Sequence, residues 1–119
     1  MLCSVIDASS ASAAGNQPGA AVVRGFYDAL GRGNGAEASK FIVSESRSGP
    51  FSPEAMSRFY GGLEEPLRLV HLQPIGPDQF FVRYVFRIGA RRCFGRAIAT
   101  TVTRGGSNFI SDVKAIDGC

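Results

Sequence analysis

From Leu67 onward, apolar and polar residues alternate along the chain, and this period of two is the feature that most constrains the fold. Short turns rich in Gly, Pro and Asp divide the region into four segments. Because antiparallel neighbours need only short turns whereas parallel strands need long crossovers, the segments predict an antiparallel meander. The predicted strands are Leu67–Ile75, Gln79–Ile88, Arg91–Arg104 and Asn108–Ile116.

The region before these strands has helical spacing instead. Its first predicted helix begins at Pro18, whose missing N–H needs no partner there, and ends at Gly31. A short second helix has Asn34 as its N-cap, and a third runs from the N-cap Ser52 to Gly61. Helices followed by strands predict an α+β fold, with three N-terminal helices packed on a curved four-stranded antiparallel sheet. The inward side of the second helix is predicted to carry Ala38, Phe41 and Ile42.

Length and composition suit a single folded unit. The chain has 119 residues, of which 45% are hydrophobic and 19% are charged. This length fits one domain, and the apolar share is too high for a disordered chain. We therefore assign residues 17–119 to one domain and residues 1–16 to a flexible leader. No apolar run approaches the ~20 residues needed to cross a bilayer, so no membrane span is expected.

The leader allows two interpretations. Ala11-Ser12-Ala13 has the small-x-small form of a signal-peptidase site. However, no basic n-region precedes it, and the apolar stretch before it is too short for an h-region. The leader is therefore either the tail of an export signal or a plain disordered segment.

The three cysteines favour export. If a three-residue loop at 105–107 joins the last two strands, Cys93 lies opposite Cys119, and a two-residue loop at 105–106 places it opposite Gly118. Either register predicts a Cys93–Cys119 disulfide, which would stabilise the domain by roughly 3 kcal/mol. Because stable disulfides belong to oxidising compartments, we expect a periplasmic or secreted protein. Two unrelated buried thiols in a cytoplasmic protein are the alternative.

Two stretches carry a resemblance to a known superfamily. Residues 22–43, VVRGFYDALGRGNGAEASKFIV, and residues 52–63, SPEAMSRFYGGL, resemble the helices of nuclear-transport-factor-2-like (cystatin-like cone) domains of the SnoaL-like branch. With the four strands, the resemblance covers residues 18–117. It implies a cone whose interior holds an apolar ligand. In the steroid isomerases and polyketide cyclases of this superfamily, a carboxylate or histidine inside the cone acts as general base.

Aromatic residues supply the candidate ligand contacts. Tyr27, Tyr60 and Tyr84 lie on apolar faces and are predicted to line the cone, although ordinary core tyrosines show the same pattern. His71, the single histidine, is a further candidate contact and, with Asp28, a candidate general base. No residue is found that would orient His71, so a half-buried strand position is its alternative. No metal-ligand spacing is present, and no metal or other cofactor is expected.

Positive charge is concentrated on the strands. Residues 1–66 carry five basic and seven acidic side chains, whereas residues 67–119 carry eight and three. Arg83, Arg87 and Arg96 are predicted to share a sheet face and to contact an anionic ligand or partner. Solvated charges that keep the sheet soluble are the alternative.

The same sheet face suggests protein partners. Phe81 and Val85 accompany the arginines there and favour a homodimer through the sheet. Aromatic residues are too few among the arginines for nucleic acid, which is not expected. The first functional hypothesis is therefore a non-catalytic domain that binds a small apolar or anionic ligand or a partner protein. The others are a small isomerase- or cyclase-like enzyme with an acid/base group in the cone, and an assembly component of an envelope complex.

Overall fold

The computed structural model describes residues 18–118. Within them, helices come first and a four-stranded antiparallel sheet follows, in the order β1-β2-β3-β4. This arrangement confirms the predicted α+β fold. Two 3₁₀ turns, Ser44–Ser46 and Gly49–Phe51, occupy the segment between the second and third helices. The elements are α1 (Pro18–Gly31), α2 (Gly35–Ser39), α3 (Pro53–Gly61), β1 (Glu65–Pro74), β2 (Gln79–Ile88), β3 (Arg91–Arg104) and β4 (Ser107–Asp117).

The second and third helices begin at the predicted caps. The side chain of Asn34 accepts a hydrogen bond from the N–H of Glu37 at 3.0 Å, and that of Ser52 accepts one from the N–H of Ala55 at 3.1 Å. Each cap satisfies a donor that the first helical turn leaves without a partner. The end of the second helix differs from the prediction, because α2 stops at Ser39, before Phe41 and Ile42.

The residues after α2 pair with the sheet instead of extending the helix. Ile42 forms an isolated parallel bridge with Ile110 of β4. The N–H of Val43 donates to the carbonyl of Ile110 at 3.0 Å, and the N–H of Ile110 donates to the carbonyl of Phe41 at 2.7 Å. Phe41 and Ile42 therefore lie beyond the helix on which they were predicted, and this segment ties the helices to the edge strand.

The β3–β4 hairpin has the shorter of the two loop lengths that the sequence allows. Arg104 pairs with Ser107, so the loop has two residues, not three. Its glycines, Gly105 and Gly106, have φ of +58° and +81°, as a type I′ turn requires. Two irregularities in pairing then shift the register along the hairpin, and Arg96 ends opposite Asp117.

The core lies between α1 and the inner face of the sheet. Val23, Phe26 and Leu30 of α1 are buried there against Phe80 and other apolar residues of β2. The helix comes so close that a Cβ on Gly19 would lie 2.7 Å from the ring of Phe80. A row of small residues on β3 is also buried on this face, and it includes Cys93, Gly95, Ala97, Ala99 and Thr101.

An exposed ion pair joins the hairpin tip to the segment after α2. Arg104 donates two hydrogen bonds to the carboxylate of Glu45, at 2.8 and 2.6 Å. These bonds lower the pKa of Glu45 to about 2, because they favour its charged form. Together with the Ile42–Ile110 bridge, the pair holds residues 42–45 against β4.

Candidate functional site

A cavity of about 150 Å³ lies between the helices and the inner face of the sheet. Tyr27 of α1, Tyr60 of α3 and Tyr84 of β2 all line it, together with Ala97 of β3. The remaining lining is apolar and comes from α1, α3, the second 3₁₀ turn and β4. The structure therefore brings together all three tyrosines that the sequence analysis selected. We call this cavity the tyrosine pocket.

Small residues on β3 make room for one of these tyrosines. Tyr84 pairs with Gly95 across the β2–β3 ladder, and its ring lies over that glycine. A Cβ on Gly95 would lie 2.2 Å from Cε1 of Tyr84 and 2.7 Å from its hydroxyl oxygen. The absence of a side chain at Gly95 thus determines where the Tyr84 ring lies.

The tyrosines belong to a continuous row of aromatic rings. The ring centroids of Tyr27 and Tyr84 are 5.7 Å apart in a stacked arrangement. Neighbouring rings contact one another either stacked or edge to face, which are the favourable geometries for aromatic pairs. The row therefore links α1 to α3 through β2. In order along it stand Phe26, Tyr27, Tyr84, Phe86, Phe59 and Tyr60.

The three hydroxyls have no protein partner within the described part of the chain. None of them makes a hydrogen bond to another residue of 18–118. Burial raises the pKa of Tyr27 and, to about 12, that of Tyr60. It also raises the pKa of Tyr84, to which the negative charge of Asp117 adds. All three hydroxyls therefore stay protonated at neutral pH and are available as hydrogen-bond donors.

An alkaline titration tests this placement, because the chain has no tyrosine besides these three. We expect Tyr27 and Tyr60 of the folded protein to form no tyrosinate near pH 10, the ordinary tyrosine pKa, because burial raises their pKa values. Because the tyrosine pKa values are higher in the folded than in the unfolded protein, keeping these tyrosines protonated stabilises the fold. This stabilisation is complete below about pH 10, the unfolded pKa, and is lost as the pH rises above it. In guanidinium all three should titrate normally. More than one tyrosine titrating near pH 10 in the folded protein would contradict the buried placement of Tyr27 and Tyr60.

His71 and Asp28 lie elsewhere, which corrects their expected role inside the pocket. His71 is exposed on the outer face of β1, with Nε2 3.2 Å from Oε1 of Gln73. Asp28 is exposed on α1 and forms an ion pair with Arg32. Neither side chain lines the tyrosine pocket. His71 pairs directly with Arg83 of β2. Because directly paired residues point to the same side of a sheet, His71 shares the outer face with Arg83.

The three selected arginines do share the outer face of the sheet. Arg83 pairs directly with Arg96, and Arg87 pairs with Arg92. Arg96 donates to Asp117 from Nε at 2.9 Å. Arg87 is 3.1 Å from a carboxylate oxygen of Glu65, which also contacts Arg92 at 3.3 Å.

Two exposed apolar residues on this face were not selected as binding residues. Phe94 of β3 is 69% exposed and Val70 of β1 is 53% exposed. The signal for Phe94 was present in the sequence, since alternation places it between Arg92 and Arg96. Val70 gave no such signal, because it lies at an irregularity in the pairing of β1 with β2.

Of the predicted disulfide only Cys93 lies within the described residues, and the predicted leader lies outside them. Cys93 is fully buried on the inner face of the sheet. Cys119 and the leader at 1–16 lie outside the described residues. Within residues 18–118, no helix has the length and apolar character to cross a membrane. The same residues contain no group of three or more side chains suited to hold a metal ion.

Fold and pocket together define an α+β domain with helices on one face of an antiparallel sheet and an aromatic cavity between them. One solved structure of similar fold is the solution structure of a SEC-C motif-containing protein from Rhodopseudomonas palustris. It aligns with a TM-score of 0.58 and 18% identity, covering 82% of this chain and 77% of that one. At this identity the similarity concerns the fold alone. No protein-family model and no curated protein matches the chain.

Proposed function

We propose that the tyrosine pocket binds a small, uncharged ligand of about the size of one aromatic ring, without catalysing a reaction. The observation that carries the proposal is the convergence of three tyrosine side chains on one cavity of about 150 Å³, with none of their hydroxyls bonded to a described residue. A cavity of roughly this volume in an engineered protein core admits benzene. The proposal agrees with the resemblance to nuclear-transport-factor-2-like cone domains. The order of helices and strands and the interior pocket support that resemblance, which is likewise a proposal.

The lining chemistry selects for an uncharged ligand. No acidic or basic side chain lines the tyrosine pocket. A charged ligand would therefore be buried without a counter-charge, which is costly. The protonated hydroxyls instead offer hydrogen bonds to an acceptor such as a carbonyl oxygen. A ring-sized compound with such an oxygen satisfies both conditions.

Three probes of similar size test this selection. Acetophenone carries an acceptor oxygen, ethylbenzene lacks one, and benzoate carries a charge. We expect acetophenone to bind most tightly and benzoate least, as measured by calorimetry and by NMR shifts of the pocket tyrosines. Equal binding of ethylbenzene would mean that the hydroxyls do not recognise the ligand. Binding of benzoate alone would overturn the proposal of an uncharged ligand.

Matched variants locate the binding. Tyr60→Phe is expected to weaken acetophenone binding at least about fivefold while leaving ethylbenzene unchanged, since one hydrogen bond contributes about 1 kcal/mol. Ala97→Leu fills the cavity and should abolish binding of both probes. Thr103→Val is the control, because it removes a hydroxyl that bonds to Asn108 outside the pocket. An equal effect of Thr103→Val and Tyr60→Phe would exclude the tyrosine pocket as the site.

An isomerase- or cyclase-like activity is the less favoured alternative. Such chemistry needs a group that removes a proton from carbon, and the pocket lining contains no carboxylate or imidazole. The tyrosines are poor bases because burial keeps them protonated. Incubation of acetophenone in D₂O provides a direct test. Protein-dependent exchange of its methyl protons, lost in Tyr60→Phe, would restore the enzyme hypothesis.

We also propose that Cys93 and Cys119 form a disulfide and that the protein works in an oxidising compartment, periplasmic or secreted. In support, Cys93 is fully buried on β3, and it is the single cysteine within residues 18–118. Gly118 lies near β3, because a Cβ added to it would be 3.6 Å from the Cα of Gly95. Peptide mapping with and without reductant distinguishes the possibilities. Free thiols at both positions in exported protein would overturn the proposal.

Self-association through the sheet depends on the outer face. Phe81 and Val85 lie there beside the arginines, as the homodimer hypothesis requires. The face is strongly basic, however, so two copies placed face to face would bring like charges together. We therefore favour a different protein partner, which is also what an assembly component would need. Light scattering across protein concentrations tests this, since a stable dimer would reverse the preference.

A further inference from the structure

The most exposed apolar side chain among the large ones described lies at the centre of a basic surface. Phe94 is 69% exposed, and in the sheet it stands in one row with Val85 and Arg68. Val70 lies nearby on β1, while Arg83 and Arg92 belong to the adjoining rows. We call these six residues the Phe94 patch. They are Arg68, Val70, Arg83, Val85, Arg92 and Phe94.

Two hollows flank the Phe94 ring. One, of about 580 Å³, has Arg68, Val85 and Arg92 among its walls. The other, of about 430 Å³, has Arg83 and Arg96 among its walls. Phe94 and Val70 border both hollows. A partner could therefore place one apolar side chain on each side of the ring and still reach arginines, which suits an interface with an apolar centre and a charged rim.

The charges on this face are unbalanced. Like charges directly opposite one another in a sheet are unfavourable, and here Arg83 faces Arg96. Asp117 neutralises Arg96, but neither Arg83 nor Arg68 forms an ion pair with a described residue. Among the described residues, and apart from Arg104 at the hairpin tip, whose charge Glu45 neutralises, the outer face carries six basic and three acidic side chains, a net charge of +3. These are Arg68, Arg83, Arg87, Arg92, Arg96 and Lys114 against Glu65, Asp112 and Asp117.

We propose that the Phe94 patch binds an acidic protein segment that also carries apolar side chains. Carboxylates on such a segment would pair with Arg68 and Arg83, and its apolar side chains would cover Phe94. A second copy of the chain is less suitable, because its own patch has the same positive charge. Nucleic acid needs a series of stacking rings, whereas this patch offers Phe94 alone.

Binding of synthetic peptides to the full chain tests the proposal. The probe is a fluorescent 16-residue amphipathic peptide with Leu and Phe on one face and Glu on the other. One twin replaces every Glu by Lys, and another replaces every Leu and Phe by Ser. We expect the acidic amphipathic peptide to bind at least about tenfold more tightly than either twin, with affinity falling as salt rises. Equal binding of the Lys twin would overturn the proposal.

Variants of the chain identify the surface. Phe94→Ser, and separately Arg68→Glu combined with Arg83→Glu, should each weaken peptide binding at least about tenfold, as loss of a central contact does. Val102→Ser on the same sheet and Arg24→Glu on α1 are the controls and should change it less than twofold. Equal weakening by Arg24→Glu would show nonspecific attraction and would reject the patch.

Two further outcomes would identify a different occupant of the Phe94 patch. Light scattering that shows a dimer in the wild type and a monomer in Phe94→Ser would identify a second copy as the occupant. Binding to phosphatidylglycerol vesicles that is lost in Phe94→Ser, without binding of the acidic peptide, would identify an anionic lipid surface. Because none of these measurements involves the tyrosine pocket, they can fail while the proposed ligand binding holds.

Discussion

Replacing Gly35 by alanine is expected to lower the free energy of unfolding by about 3 kcal/mol or more and Tm by roughly 10 °C. A Cβ on Gly35 would lie 2.0 Å from the carbonyl oxygen of Pro53 and 2.7 Å from the backbone nitrogen of Ser57. Backbone atoms cannot turn aside as a side chain can, so α2 and α3 would have to separate. The hydrogen bond from the N–H of Gly35 to Oγ of Ser57, 2.8 Å long, would be strained by the same movement. Thermal and urea unfolding followed by circular dichroism measure the loss.

Gly61→Ala is the matched control for this prediction. A Cβ there would lie 3.7 Å from its nearest neighbour, the carbonyl oxygen of Gly33, which is an ordinary contact. Because alanine favours helices over glycine by up to about 1 kcal/mol, this variant should be as stable as the wild type or more so. If Gly35→Ala unfolded at the same temperature as Gly61→Ala, the close contact between α2 and α3 would be refuted.

Replacing Gly95 by alanine is expected to cost about 2 kcal/mol of stability and to disrupt the tyrosine pocket. The new Cβ would meet the ring of Tyr84, which would have to leave its position beside Tyr27 and Phe86. In a Tyr84→Ala background the obstacle is gone. The same Gly95→Ala change should then cost less than about 0.5 kcal/mol, leaving a coupling energy of about 1.5 kcal/mol. A double-mutant cycle by urea unfolding measures this coupling.

Two results would contradict this account of the pocket. The control cycle combines Tyr84→Ala with Gly61→Ala, whose effects should add within about 0.5 kcal/mol because the two sites share no contact. If the Gly95 cycle were equally additive, the Tyr84 ring would not lie over Gly95. If Gly95→Ala bound acetophenone as tightly as the wild type, the position of that ring would not matter for the ligand.

Much of the architecture was predictable because it depends on local spacing. The apolar period of two from Leu67 predicted the four strands: β2 and β3 have the predicted bounds, and those of β1 and β4 differ by at most two residues. The caps Asn34 and Ser52 were predictable because their side chains reach donors only three residues away. Tyr27 and Tyr84 were placed on inward faces by the same spacing, helical for one and alternating for the other.

The errors lie where residues distant in sequence decide the outcome. The sequence left the loop after Arg104 open between two and three residues, since both lengths suit its glycines, and the strand pairing selects two. The sequence predicted His71 on a strand, but it did not reveal which face of that strand would be buried. α2 ended before Phe41 because Ile42 pairs with Ile110, a residue 68 positions away.

The sequence by itself determined the order of helices and strands, the inward direction of the tyrosines and the concentration of positive charge on the sheet. Each of these depends on residue type and spacing, which any short window of the chain carries. Only the tertiary structure decided that Tyr27, Tyr60 and Tyr84 line one cavity. It also decided that Phe94 stands exposed among arginines on the opposite face. Both arrangements arise from the packing of α1 and α3 on the sheet and from strand register, which local spacing does not encode.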